Sequence, residues 1–107
     1  MNISKVKGLK LGAVHYKVER RPVPITECES SSVVGRVHYD AAKLLIADSL
    51  CEEVEALTIM HEATHALFQH AGIRHQDEQL IETLSGFFFD FIRDNPDFIK
   101  AVQLQQH

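Results

Sequence analysis

Cysteine, long apolar runs and positive charge are all scarce in this sequence, and each shortage excludes a class of protein. Two cysteines, Cys28 and Cys51, are too few for a disulfide-stapled scaffold. Both thiols are expected to be free. A Cys28–Cys51 disulfide is the alternative, and nothing in their spacing suggests a metal role. Polar and apolar residues alternate over Met1–Lys10, without the apolar core of a secretory leader. No apolar run approaches the ~20 residues of a membrane-spanning helix. A cytoplasmic chain with no membrane partner is therefore expected. The 11 Lys and Arg are outnumbered by 15 Asp and Glu, for a formal net charge of -4. No basic patch answers a phosphate backbone, so nucleic acid is not an expected partner. Internal repeats and low-complexity tracts are also missing. The 107 residues, 45% hydrophobic and 24% charged, predict one globular domain with a modest core.

Against this ordinary background stands His61-Glu62-Ala63-Thr64-His65. On a helix, residues four apart lie on one face, so both imidazoles can reach one metal ion. Zinc suits such a pair, because a catalytic zinc takes three protein ligands and leaves a position for water. Glu62, beside the first ligand but not itself one, is placed to take a proton from water and return it to a leaving group. H-E-x-x-H is short and also arises by chance. A helical setting and an acid on a following helix are what distinguish a site from a coincidence.

The surrounding pattern supplies both. Leu9 to Val18 alternates as a strand, and Arg20 to Ser32, with Pro22, Pro24 and Ser30-Ser31-Ser32, reads as a loop that is the best candidate for a mobile segment. Val33–Tyr39 alternates again, Asp40–Lys43 can turn, and Leu44–Ala47 is a short apolar run, so residues 33–47 form an expected β-hairpin. Its first strand, if at a sheet edge, could receive an extended peptide. Ser49 and Glu52 make a capping box and Gly72 a C-terminal stop, which predicts a helix over residues 50–71. That helix carries apolar residues on two sides, including Ala56, Ile59, Ala63 and Leu67 on one, as a sandwiched helix does. A second helix is expected over 77–94 and a third, opened by Pro96, to about Leu104. Phe87, Phe88, Phe89 and Phe91 are expected in the core. Gly86, costly inside a helix, is expected to mark close helix packing.

A third ligand must come from downstream. His70 lies about 140° round the helix from His65 and points away. Phe68 and Ala71 stand where the metzincin signature needs glycine and histidine. Glu82, Glu78 and His75 remain. Glu82 is preferred because it is set among Ile81, Leu84 and Ser85, where an unpaired carboxylate would be expensive. Glu78 sits nearer the helix start, where solvent and the helix dipole already favour an acid. An oxyanion-stabilising donor is sought among His38, Tyr39, His70 and His75, with Tyr39 or His38 preferred.

The stretch Thr58–Pro96, with T-I-M-H-E-A-T-H and E-T-L-S-G, resembles the ImmA/IrrE-like metallopeptidases, many of them carried by phages and mobile elements, and the smallest gluzincins. The resemblance covers roughly the C-terminal two thirds of the chain. It implies a β-hairpin before the motif helix, a zinc site completed by a glutamate of the next helix at the position of Glu82, and a peptide or protein substrate. It also implies a catalytic unit without the helix-turn-helix or sensor domains of some relatives. The expected molecule is a small α+β, zincin-like domain with about three strands and three helices. Its expected function is that of a zinc-dependent peptidase, with His61, His65 and Glu82 on Zn2+ and Glu62 as general base. A non-catalytic zinc-binding regulatory module is the alternative. A chance motif in a metal-free interaction domain is a third class.

Overall fold

The computed structural model describes residues 2–22 and 34–104. Among the described residues the fold is α+β, with a four-stranded mixed sheet and three helices. A 3-10 turn at Ile3–Lys5 leads into β1 (Gly8–Leu11) and β2 (Val14–Arg21), which pair antiparallel. The single strand expected at Leu9–Val18 is thus a hairpin. Gly12, with φ +65°, takes the first place of a two-residue turn, where a primed turn needs a left-handed residue. The segment that follows, including most of the expected Arg20–Ser32 loop and Cys28, lies outside the described residues. Cys51 is an exposed free thiol.

The expected hairpin at 33–47 is present as β3 (Gly35–His38) and β4 (Lys43–Ala47). Strand β4 also pairs parallel with β2, from Lys17 opposite Lys43 to Arg21 opposite Ala47. The order β1-β2-β4-β3 therefore exceeds the expected three strands and leaves β3 at an edge. Between residues so distant in sequence, a parallel pairing leaves no local periodic signal.

Helix α1 (Glu52–His70) lies across the sheet, with Ile59, Ala63 and Ala66 against a core of Tyr16, Val18, Leu44 and Ile46. Its start differs from the expected capping box. Cys51 is the N-cap and provides no side-chain bond, while Glu52 instead accepts the Ile3 backbone N–H at 3.0 Å. Three acids in the first turn, Glu52, Glu53 and Glu55, complement the helix dipole. Its end is as expected. Gly72 takes φ +82°, the Gly72 N–H donates to Gln69 O and the Ile73 N–H to Phe68 O, which is a complete Schellman motif. Arg20 ties the layers together, donating to Glu55 on α1 at 2.8 Å and to the carbonyls of Val6 and Ile3.

Helix α2 (Glu78–Asp94) is capped by Asp77, whose side chain accepts from the backbone of Gln79 and Leu80. It packs on α1 through Ile81, Ser85 and Phe89, all buried. Helix α3 (Pro96–Gln103) follows and has no buried residue. Two expectations about α2 fail. Of its phenylalanines only Phe89 is buried, while Phe87 and Phe88 are exposed. Nothing lies within 4 Å of where a Cβ on Gly86 would sit, so that glycine marks no close helix contact.

The close approach is at Gly35 instead. A Cβ there would stand 2.5 Å from Thr58 Cγ2 and 3.2 Å from Glu62 Oε2. Thr58 cannot swing aside freely, because its hydroxyl donates to Val54 O at 2.7 Å. Gly35 thus lets the edge strand lie directly against the motif helix. Gly35→Ala should destabilise by ~1–3 kcal/mol, as overpacking does. Adding Thr58→Ser, which deletes the obstructing methyl, should recover most of that loss. Thermal denaturation of the single and double variants checks this, and equal losses in both would remove the steric explanation.

Candidate metal centre

Histidines 61 and 65 face the same way from α1, their ring centroids 5.0 Å apart. After the Schellman turn the chain doubles back, and α2 begins beside the middle of α1. Its first residue, Glu78, brings one carboxylate oxygen to 3.3 Å from His61 Nε2 and the other to 3.0 Å from His65 Nε2. Among the described residues, His61, His65 and Glu78 form the group able to hold a metal ion, with donor atoms all within 4.8 Å of one another. Tetrahedral coordination at ordinary zinc–nitrogen and zinc–oxygen lengths separates neighbouring donors by ~3.4 Å. The donor set and its spacing therefore fit a divalent ion of this kind.

Hydrogen bonding strengthens the fit. His65 Nδ1 lies 2.6 Å from Gln76 Oε1, and Gln76 is turned that way by its own amide bond to Ile73 O. Nδ1 must donate to an amide oxygen. In the neutral ring Nε2 is then a bare acceptor, facing a carboxylate oxygen at 3.0 Å. Two acceptors at that distance require a proton or a cation between them.

Glu82, expected as the third ligand, is not in this group. It is exposed and lines a neighbouring cleft of about 390 Å³ with Leu57, Thr58, His61, Glu62 and Gly86. The reasoning that placed it at a buried helix contact does not hold for this packing. His75 is exposed and outside the group, and His70 is engaged elsewhere by the Tyr16 hydroxyl at 2.7 Å.

Glu62 is buried between α1 and β3, 8% exposed. Loss of solvent pushes its carboxyl up to about 7, with Glu78 adding to the rise while His65 and Arg36 oppose it. It does not belong to the candidate donor group but lines both clefts that flank His61. The second cleft, about 400 Å³, also exposes Arg36, Val37, Tyr39, His65 and Glu78. Of the expected oxyanion donors, Tyr39 alone faces this space. Burial raises the pKa of its phenol, opposed by a hydrogen bond with Gln76 and helped more weakly by Glu62 and Glu78, so it holds its proton at neutral pH.

Sequence reasoning missed Gly35 and Gln76. Neither residue carries a motif, and their roles depend on a strand and a loop meeting α1. Gln76→Leu keeps the volume but removes the acceptor that fixes the His65 ring. Zinc affinity should fall by roughly 10–100-fold, the usual cost of losing a ligand's supporting hydrogen bond. Competition with a chromophoric chelator measures this, and an unchanged affinity would make the contact incidental.

The chain matches no family model, no curated protein and no solved structure. No helix among the described residues is long and apolar enough to cross a membrane.

Proposed function

We propose that the chain is a zinc-dependent peptidase of gluzincin type, with His61, His65 and Glu78 as ligands and Glu62 as general base. One observation carries this reading: three donors converge within 4.8 Å while the adjacent Glu62, a buried acid, stays out of the group and lines the clefts on both sides of His61. A purely structural metal has no use for such an acid, whereas hydrolysis needs a base beside the attacking water. Zinc held there would polarise a carbonyl and acidify a water. Glu62 would take the proton as the water oxygen bonds to the peptide carbon, and would return it to the nitrogen as the C–N bond breaks. Tyr39 is placed to donate to the developing oxyanion.

The two clefts follow β3, from Val34 and Gly35 on one side of His61 to Val37 and Tyr39 on the other. An extended peptide paired with that edge strand would carry its backbone past Glu62. The hairpin before α1 and the acid on the next helix support a zincin-like reading and the resemblance to the ImmA/IrrE-like metallopeptidases, with the ligand one turn earlier than the motif match implied.

Purified protein should bind about one zinc per chain, as a site of two imidazoles and a carboxylate does, and chelation should lower its melting temperature. The zinc-loaded protein should cleave members of a broad peptide library, read by mass spectrometry, and chelation should stop cleavage. Zinc binding without any cleavage would favour the non-catalytic regulatory module, and failure to bind zinc would end both readings.

A further inference from the structure

Helix α2 is apolar on more than the side that meets α1. Leu80, Leu84, Phe87 and Phe91 recur at spacings of four, three and four, the interval that lines one seam of a helix pair. This stripe lies beside the buried Ile81, Ser85 and Phe89 face, turned away from the sheet. Ring contacts make it continuous: Phe88 to Phe87 at 5.8 Å, Phe87 to Phe91 at 5.9 Å, and Phe91 to Phe98 of α3 at 5.7 Å. Val102, one turn beyond Phe98, extends it. Phe87 is 57% exposed, Phe98 58% and Val102 54%.

We propose that this face joins two copies of the chain in a two-fold dimer, α2 packed against its counterpart and α3 closing the ends. Size supports a second copy. With roughly 200 Å² of surface per phenylalanine, the exposed part of the stripe amounts to on the order of 500 Å² per chain, in the upper part of the range for a monomer's largest apolar patch, which is often functional. Two such faces remove on the order of 1,000 Å² from water, the lower bound of a specific interface. Spacing supports it too, because a seam of this interval is self-complementary and an isologous contact closes at two copies. Charge argues against a membrane. Asp90 and Asp94 flank the stripe on α2, and Arg93, the one base of that helix, is held by both acids, whereas surface-binding helices are flanked by free lysine and arginine. The aromatic part of the face, from Phe87 onward, begins more than two turns along α2 from Glu78, so both sites can work at once.

Sedimentation velocity of the full chain over ~1–200 µM should show a concentration-dependent shift from one to two chains, as an interface at the lower size limit gives micromolar dissociation. The double variant Phe87→Glu, Phe98→Glu should remain a monomer across that range with an unchanged circular dichroism spectrum. If that pair unfolds the protein, Val102→Glu, on a helix with no buried residue, decides in its place. Leu67→Glu serves as the control, because Leu67 lines a separate apolar groove of about 430 Å³ with Ile3, Met60 and Ile92, and its dimer should persist. A wild-type monomer throughout, a dimer that survives the stripe variants, one lost in Leu67→Glu, or open-ended assembly would each overturn the proposal.

Discussion

Glu78→Ala is expected to weaken zinc binding by on the order of 10²-fold or more, while Glu82→Ala leaves it within about threefold of wild type. The two acids sit one turn apart on the same helix, yet their geometry differs sharply. Glu78 reaches both histidines, at 3.3 and 3.0 Å. Glu82 is outside the donor group and faces the cleft next to it. With Glu78 gone, two imidazoles remain, and a two-ligand site holds zinc far less well than three. Although 69% of the Glu78 side chain is exposed, its position at the first residue of α2 gives it the helix dipole as a further support for its ionised form. Isothermal titration of both variants, with circular dichroism to establish that each is folded, separates the alternatives. Tight binding in Glu78→Ala combined with loss in Glu82→Ala would return the third ligand to Glu82.

The sequence points to Glu82 for a reason that is physical. Helix α2 is legible as a helix, from Asp77 to Asn95, because caps and apolar spacing are local. Its rotation and depth are not, because they depend on the five residues between Gly72 and α2. Within that connection Gln76 bonds to His65 at 2.6 Å, and the start of α2, not its second turn, lies against the face that carries the two histidines. Apolar neighbours around Glu82 suggest burial, but α2 is apolar on two sides and only one of them meets α1. The same ambiguity assigns Phe87 and Phe88 to the core, when they lie on the outer stripe.

Elsewhere the division follows the range of the interaction. The C-terminal stop of α1 could be read from Gly72 alone, since a Schellman turn needs a left-handed residue whatever the tertiary context. Its N-terminus could not. Ser49 and Glu52 satisfy a capping pattern, but the N–H that Glu52 accepts from belongs to Ile3, nearly half the chain away. The hairpin of β3 and β4 was legible from alternation, and the parallel pairing of β4 with β2 was not. The two imidazoles share a helix, so their common face could be read from spacing, whereas the acid that meets them comes from another helix and could not.

Glu62→Gln should separate catalysis from stability. In the zinc-loaded protein the amide cannot accept a proton from water, and hydrolysis should fall by at least ~10²-fold with zinc still bound. With the metal removed, the same change should stabilise the fold, and by an amount that depends on pH. Burial raises the Glu62 carboxyl from 4.5 to about 7, so between those values the folded chain holds a proton that the unfolded chain has released. Stability is then lost as pH rises from 4.5 through about 7. The sign is opposite to that of a carboxylate held by a salt bridge. A shift of this size corresponds to roughly 3 kcal/mol, and the neutral amide of the variant carries none of that penalty. Metal-free Glu62→Gln should therefore melt on the order of 10 °C above metal-free wild type at pH 8, with the two curves converging near pH 4.5. Melting both proteins in chelator across that range tests it. A constant offset at every pH would mean that the amide repacks the site and that the Glu62 carboxyl is not raised by burial. Loss of zinc by the variant would make Glu62 a ligand, and the base would have to be sought elsewhere.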